Sequence, residues 1–256
     1  MTAPAQVAVD WTENAVLGGR VVVAQDRRGY RYNVDALWLV RHCVGEARGR
    51  VVDLGAGSGV IGLCLGARVG VDEVVLVERQ AALVRCARRS IELSAPRCPV
   101  RILEKDLRQL TAAEVGAPAD LVVCNPPFHD VTRSRPAANP QLDQARRALH
   151  GDVHDFVRAA RRLMGAESWL GVVYPAARRG ELLEALRASG LSAGQWRVVQ
   201  ARPKRPPRLI LVLVRPGSTG DFDELEPWIE QDSDGSESSL ARSLRDASWL
   251  DQRSLP

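Results

Sequence analysis

The chain has 256 residues, 45% of them hydrophobic, and a formal net charge of +4. That suffices for one large α/β domain with appendages and a sizeable core. No run of about 18 apolar residues occurs, so no spanning helix is expected, and the start, MTAPAQVAVDWTENAVLGGR, lacks the basic and apolar blocks of a secretory signal. The five cysteines, Cys43, Cys64, Cys86, Cys98 and Cys124, are scattered and form no C-x-x-C pair. Neither a zinc site nor a disulfide framework is expected, and reduced thiols fit a cytoplasmic protein. The net charge hides an asymmetry. From Pro216 onward ten acidic residues stand against three basic ones, a formal charge of −7, which leaves +11 on residues 1–215. A basic body favours a polyanionic partner such as nucleic acid.

Residues 1–15 read as a loose end. Val16 to Ala24 and Arg28 to Tyr32 flank Gln25-Asp26-Arg27, which predicts a β-hairpin turning there. Ala36, Leu37, Val40 and Val44 recur at helical spacing, with Asn33 or Asp35 placed to cap the helix. Val51 to Leu54 reads as a strand, followed by Gly55-Ala56-Gly57-Ser58-Gly59 and a helix over 60–69. A strand over 74–77 ends at Glu78, and a helix over 80–94 carries Arg85, Arg88 and Arg89 outward. Val100 to Leu103 is a third strand with Asp106 just beyond it, and Leu121 to Cys124 a fourth. The polar, proline-containing stretch from Phe128 to about Pro140 reads as a loop over the site. A helix over 143–164, a strand over 170–173, a helix over 180–188 and strands over 196–200 and 209–214 complete the pattern. Strands alternating with helices at this spacing predict an α/β, doubly wound, Rossmann-like sheet. Residues 1–49 are then an N-terminal extension of hairpin and helix, 50–215 the core domain and 216–256 an acidic tail. The tail is rich in Ser, Asp and Glu and reads as disordered, although Leu240 to Leu250 fits a short amphipathic helix.

Chemistry concentrates at Asn125-Pro126-Pro127-Phe128. Two prolines remove two backbone donors and stop the strand. The Asn oxygen and the proline carbonyls are left without intrachain donors, and such an acceptor-rich end suits an amino group with two N–H protons. The aromatic beside it offers a stacking face. Upstream, the glycines after the first strand let the backbone turn sharply and approach a ligand. From Gly57, the run Gly57-Ser58-Gly59-Val60-Ile61-Gly62 also matches a dinucleotide fingerprint. Two features oppose that reading. The first glycine of the turn is Gly55, and Asp53 just before the turn is unwelcome near a pyrophosphate. A carboxylate there suits a cationic amino-acid moiety instead. Glu78 is placed to accept from both ribose hydroxyls, and Asp106 from an adenine amino group.

Asp-Leu-Gly-Ala-Gly-Ser-Gly, Glu78, Asp106 and Asn-Pro-Pro-Phe together resemble class I S-adenosylmethionine-dependent methyltransferases that modify amino or amide nitrogens. GYRYNVDALWLV, ALHGDVHDFVRAARRLM and PKRPPRLILVLV are similar to segments of the bacterial tRNA adenine-N6 methyltransferases that act beside the anticodon of a valine tRNA. The match covers about residues 16–215. The resemblance implies a seven-stranded sheet with its last strand antiparallel. It implies S-adenosylmethionine held by Asp53, Gly55, Gly57, Gly59, Glu78, Asp106 and Asn125. It also implies methyl transfer to an exocyclic amino nitrogen of tRNA at Asn125, Pro126, Pro127 and Phe128. The family often carries Tyr where this chain has Phe128. Phe128-His129-Asp130 also resembles ribosomal RNA guanine-N2 methyltransferases, and glutamine methyltransferases of release factors share Asn-Pro-Pro-Tyr. Those acceptors stay open, as does an RNA-binding module with a degenerate fold, against which the intact motifs count. Arg133, Arg135, Arg146 and Arg147 flank the motif, and Arg202, Lys204, Arg205 and Arg208 form a second, proline-stiffened cluster. Both are expected to take RNA phosphates. His150 and His154 lack a third ligand, and no metal is expected.

Overall fold

The computed structural model describes residues 10–28, 31–116, 118–127, 151–191, 194–217 and 222–251. Two antiparallel strands, β1 (Trp11–Val16) and β2 (Val21–Asp26), come first. Their turn lies at Leu17 to Arg20, not at Gln25-Asp26-Arg27. Gly18 and Gly19 have φ of 61° and 84°, left-handed values that glycine adopts without a Cβ clash. Gln25 and Asp26 instead pair with Thr12 and Trp11, so part of the expected loose end is a strand. The helix α1 (Asp35–Cys43) follows, with the Asn33 Oδ1 accepting the Asp35 N–H at 3.1 Å.

The core is one sheet built from β3 (Gly49–Leu54), β4 (Val71–Glu78), β5 (Val100–Glu104), β6 (Ala119–Cys124), β7 (Met164–Pro175), β8 (Gly194–Gln200), β9 (Pro207–Val214) and β10 (Phe222–Ile229). Its eight strands run in the order β10-β8-β9-β7-β6-β3-β4-β5. β3 to β7 are mutually parallel, whereas β9 is antiparallel to both β7 and β8. The helices are α2 (Val60–Gly66), α3 (Ala81–Ser94), α4 (Ala112–Val115), α5 (Val153–Leu163), α6 (Arg179–Ala188) and α7 (Ser239–Ser243). Helices cover both faces, so the parallel strands are apolar in nearly every position. Val51, Val74, Leu121 and Val173 pack with α1 and α2, while Val52, Leu54, Val75 and Val122 pack with α5 and α6.

From β3 the chain steps outward to β4 and β5, then returns across β3 to β6 and β7. The strand order therefore reverses between β3 and β6, and a crevice opens at their carboxyl ends. Leu54 pairs with Cys124, so Gly55 and Asn125 leave the sheet side by side.

The acidic tail departs from expectation. β10 adds an eighth strand parallel to β8, and α7 and the residues after it fold back on α1. Trp228, Leu244, Trp249 and Leu250 are buried in the same core as Trp38. The Trp38 and Trp228 rings lie 5.4 Å apart. Composition averaged over the tail hides these few large apolar side chains, and they supply the burial that ordering needs. Pro227 sits on the outer strand at a break in register, a position where proline removes no needed bond.

Candidate active site

A cleft of about 440 Å³ lies at the reversal point, within the roughly 300–1,000 Å³ range of small-molecule sites. Asn33, Gly55, Gly57, Glu78, Asp106 and Asn125 line it, together with Arg79, Lys105, Pro126, Pro127 and Phe156. The turn after β3 is tied down on its inner side. Gly55 and Ala56 donate to the Val77 carbonyl at 2.9 and 3.0 Å, and Gly59 donates to Ala56 at 2.8 Å. Gly57 has φ 58°, and a Cβ there would meet no protein atom within 4 Å. Its outer side is open cleft, so a ligand can rest against the backbone itself.

Glu78 ends β4 and is 6% exposed. Its Oε2 accepts the Gly57 N–H at 3.0 Å, and its Oε1 accepts the Arg79 and Gln80 N–H groups at 2.8 Å each. One carboxylate thus joins the glycine turn to the start of α3. Three of its four lone-pair sites are used, which leaves one on Oε2 for a ribose hydroxyl instead of the two that accepting both hydroxyls would need.

Asp106 follows β5 and also lines the cleft. Its carboxylate accepts the Arg108 backbone N–H at 3.0 Å and the Arg108 guanidinium at 2.5 to 3.1 Å. That guanidinium holds the carboxyl below the usual range. Arg79 stands 3.7 Å away. An adenine amino group would share an acceptor already engaged, which sequence reasoning did not foresee.

Asp53 does not line the cleft. It is fully buried behind the turn, and its Oδ2 accepts the Gly62 N–H of α2 at 2.9 Å. Oδ1 has no partner, and burial pushes the carboxyl up to about 7. Gly59 likewise lies behind the wall. Both shape the turn from the inside rather than face its occupant.

Asn125 and its prolines stand at the end of β6, where Pro126 is buried and Pro127 exposed. The Asn125 Oδ1 is buried without a hydrogen-bond partner. An unmade bond of this kind costs about 1–3 kcal/mol, and this one belongs to a residue of the cleft lining. Phe128, His129, Arg133, Arg135, Arg146, Arg147 and His150 lie outside the described residues.

Among the lining residues that the sequence did not single out as site residues are Asn33, Arg79, Lys105 and Phe156. Phe156 comes from α5, whose start is marked by a reciprocal Asp152–Asp155 capping box. Asn33 was visible only as a helix cap. The second basic cluster is split. Arg202, Lys204 and Arg205 are exposed in the β8–β9 loop, which leaves the sheet at the same edge as the cleft. Arg202 donates to Gln231 at 2.9 Å. Arg208 instead pairs with buried Asp35 at 2.7 Å and with Glu230 at 2.5 Å. It is a structural cation, contrary to its expected place among RNA contacts, because its fork meets two carboxylates that chain distance had hidden.

The Glu78 carboxylate at the glycine turn suits a ligand hydroxyl and opposes a pyrophosphate there. S-adenosylmethionine fits: the Gly55–Gly57 backbone and Glu78 would hold it, with Asn125 at the reacting end. The fold and the site define a class I S-adenosylmethionine-dependent methyltransferase. The methyltransferase small domain family model matches residues 33–173, more than half of the chain, and the protein belongs to that family.

Among its relatives, the tRNA1(Val) (adenine(37)-N6)-methyltransferase of Tolumonas auensis is 28% identical over 210 residues, which are 79% of this chain and 84% of the relative. The ribosomal RNA large subunit methyltransferase G of Erwinia tasmaniensis is 32% identical over 104 residues, 38% of this chain and 26% of that protein. Among solved structures, a predicted O-methyltransferase of Agrobacterium tumefaciens superposes with a TM-score of 0.65 at 23% identity, covering 85% of this chain and 97% of that one. TYW2 of M. jannaschii in complex with AdoMet gives 0.54 at 14%, covering 82% and 87%. The two structures share the fold. S-adenosylmethionine is the methyl donor of this enzyme.

Proposed function

We propose that the protein methylates an exocyclic amino nitrogen of RNA, specifically N6 of an adenine beside the anticodon of a tRNA. The observation that carries this reading is the buried, unpartnered Asn125 Oδ1 on the cleft wall. An exocyclic nitrogen is a poor nucleophile because its lone pair is delocalised into the ring. The Asn125 oxygen accepts one amino N–H and the Pro126 carbonyl the other, which draws the nitrogen toward tetrahedral geometry and frees its lone pair. The sulfonium of S-adenosylmethionine supplies the electrophilic methyl. No strong base is required, since the amino proton becomes acidic only as the N–C bond forms, and it leaves to solvent. The acceptors are preorganised, so the effect is one of positioning and electrostatics. Phe128 would stack on the base, returning about 1–3 kcal/mol of the roughly few kcal/mol needed to unstack it.

RNA as the substrate is supported by the exposed Lys204 and Arg205, in a loop at the sheet edge where the cleft opens, and by the names of the relatives. A tRNA substrate in turn places the protein in the cytoplasm, where its five free thiols would stay reduced. Guanine N2 of ribosomal RNA is the second reading, supported by the Erwinia tasmaniensis relative. Nucleoside mass spectrometry of tRNA and ribosomal RNA from a deletion strain separates them. Loss of N6-methyladenosine from one tRNA is expected. An unchanged tRNA pool with loss of N2-methylguanosine from ribosomal RNA would replace the first reading with the second.

A further inference from the structure

Asn33 lines the same cleft as Asn125, yet the chemistry above leaves it without a task. It stands just before α1, and both ends of its side chain are clamped. Its Oδ1 accepts the Asp35 N–H at 3.1 Å, and its Nδ2 donates to Asp35 Oδ2 at 2.8 Å. Rotating the amide by half a turn would break both bonds, so its orientation is set. Asp35 is 1% exposed, and its Oδ1 accepts from Arg208 Nη1 at 2.7 Å. Arg208 then forks onto Glu230, with Nη2 donating to Oε1 at 2.5 Å and Nε to Oε2 at 3.3 Å. Trp38 Nε1 also reaches Glu230 Oε1, at 3.3 Å. A buried carboxylate is costly unless paired. The apolar side of α1 already anchors the helix through Trp38, Leu39 and Val40. What the ionic chain adds is a fixed direction for Asn33.

The location is toward the Asn125 end of the cleft. α1 packs against β7, β9 and α2; β7 and β9 lie on the side of β6 away from β4, whose Glu78, with Asp106 after β5, forms the other end of the cleft. A carboxamide has two N–H donors and two acceptor lone pairs. The clamp uses one of each and leaves one of each for a ligand; since both amino protons go to Asn125 and Pro126, it is the free N–H of Asn33 that can donate, to the ring nitrogen beside the amino group. The geometry points to Asn33 as the residue that holds the adenine ring beside its amino group, with Asp35, Arg208 and Glu230 as positioning residues acting through it. This rests on the proposed amino-nitrogen chemistry. It also gives the tail strand β10 a task, since Glu230 directly follows it. Guanine carries a proton on the ring nitrogen next to its amino group, where adenine has an acceptor, so a fixed N–H from Asn33 favours adenine.

The test is a cycle of Asn33→Ala, Glu230→Gln and the double variant on bulk tRNA. It reads single-turnover kcat/KM for RNA, with S-adenosylmethionine affinity by calorimetry and Tm as controls. Asn33→Ala should lower kcat/KM by about tenfold, the worth of one net hydrogen bond, and leave cofactor affinity within about twofold. Glu230→Gln should lower it by less, about threefold, and should add nothing in the Asn33→Ala background, because residues acting through one contact are not additive. Wild-type rates in Asn33→Ala, or fully additive losses in the double variant, would overturn the inference. A wild-type enzyme that transfers no methyl group to any RNA would remove the RNA reading and this inference with it.

Discussion

Asn125 holds its oxygen buried and unpaired, at a cost in stability, and the proposed mechanism gives that oxygen the substrate amino group to accept. Asn125→Ala should therefore slow methyl transfer by about 10²–10³-fold, as loss of one transition-state hydrogen-bond partner does. Cofactor affinity should barely change, and thermal stability should hold or rise slightly, since the orphaned acceptor is gone. Single-turnover kinetics with calorimetry reads all three, and an unchanged chemical rate would strip the residue of its role. Asp53 makes a different prediction. Burial raises its folded pKa to about 7, above the ~3.9 of an exposed aspartate. Between those values the folded state binds more protons than the unfolded chain, so this group's contribution to stability declines as pH rises. His42 acts in the opposite sense. Burial, with Arg197 nearby, lowers its pKa to about 3, so its contribution grows from about pH 3 to its unfolded value near 6.5. The wild-type profile mixes the two. The difference between wild type and Asp53→Asn in denaturant titrations of the ligand-free protein isolates the carboxyl. The variant should gain relative stability from about pH 4 to 7, and parallel profiles would show that Asp53 does not titrate in this window.

The tail is the element whose role changed most. A charge of −7 and fading periodicity imply a dispensable appendage, which could be cut after Arg215 without harm. The structure reverses that expectation. β10 covers the outer edge of β8, its Trp228 stacks under the Arg197 guanidinium at 4.4 Å, and the Trp249 ring lies 5.1 Å from the Arg41 guanidinium of α1. Trp228→Ala should cost about 3–5 kcal/mol, the usual range for a buried large aromatic, measured by urea unfolding. Truncation after Arg215 should lower Tm further and expose an unpaired strand edge prone to association. A truncated chain with wild-type Tm would restore the view of the tail as a free appendage. Asp223, Glu224 and Glu226 on β10 are exposed. Charges on an outermost strand oppose edge-to-edge pairing, which explains why a structural strand is so acidic.

At the scale of the whole molecule, the two charge excesses are not separated in space. Glu230 and Gln231 at the end of the tail strand meet Arg208 and Arg202 of the β8–β9 segment. The charge of Arg208 is therefore offset within the protein, whereas Arg202, bonded to an uncharged amide, stays an outward cation with Lys204 and Arg205. Replacing Lys204 and Arg205 with alanine should weaken RNA binding and shallow its salt dependence, by up to about one unit of slope for each phosphate no longer neutralised. Catalysis at saturating RNA should persist. Filter binding at several salt concentrations reads the slope, and an unaltered slope would place the RNA elsewhere. Arg208→Ala should behave differently, lowering Tm, because it strands the buried Asp35 carboxylate.

Element type and order were legible because they are local. Continuous runs such as Leu121 to Cys124 announce strands buried on both faces, and glycines after the first strand with Asn-Pro-Pro after the fourth announce where a parallel sheet opens. The class of chemistry followed from those motifs and from Glu78 and Asp106. What lay beyond the sequence is set by partners far apart in the chain. Asp35 and Arg208 are 173 positions apart, and no local pattern says that the guanidinium meets this carboxylate instead of a phosphate. Asp53 looked like a ligand contact because the motif fixes its position in the chain, whereas the strand's pleat decides that it points behind the turn. The tail looked disordered because composition averages over residues, while order depends on whether a few tryptophans find a surface to cover, and α1 supplies that surface only once the sheet has formed.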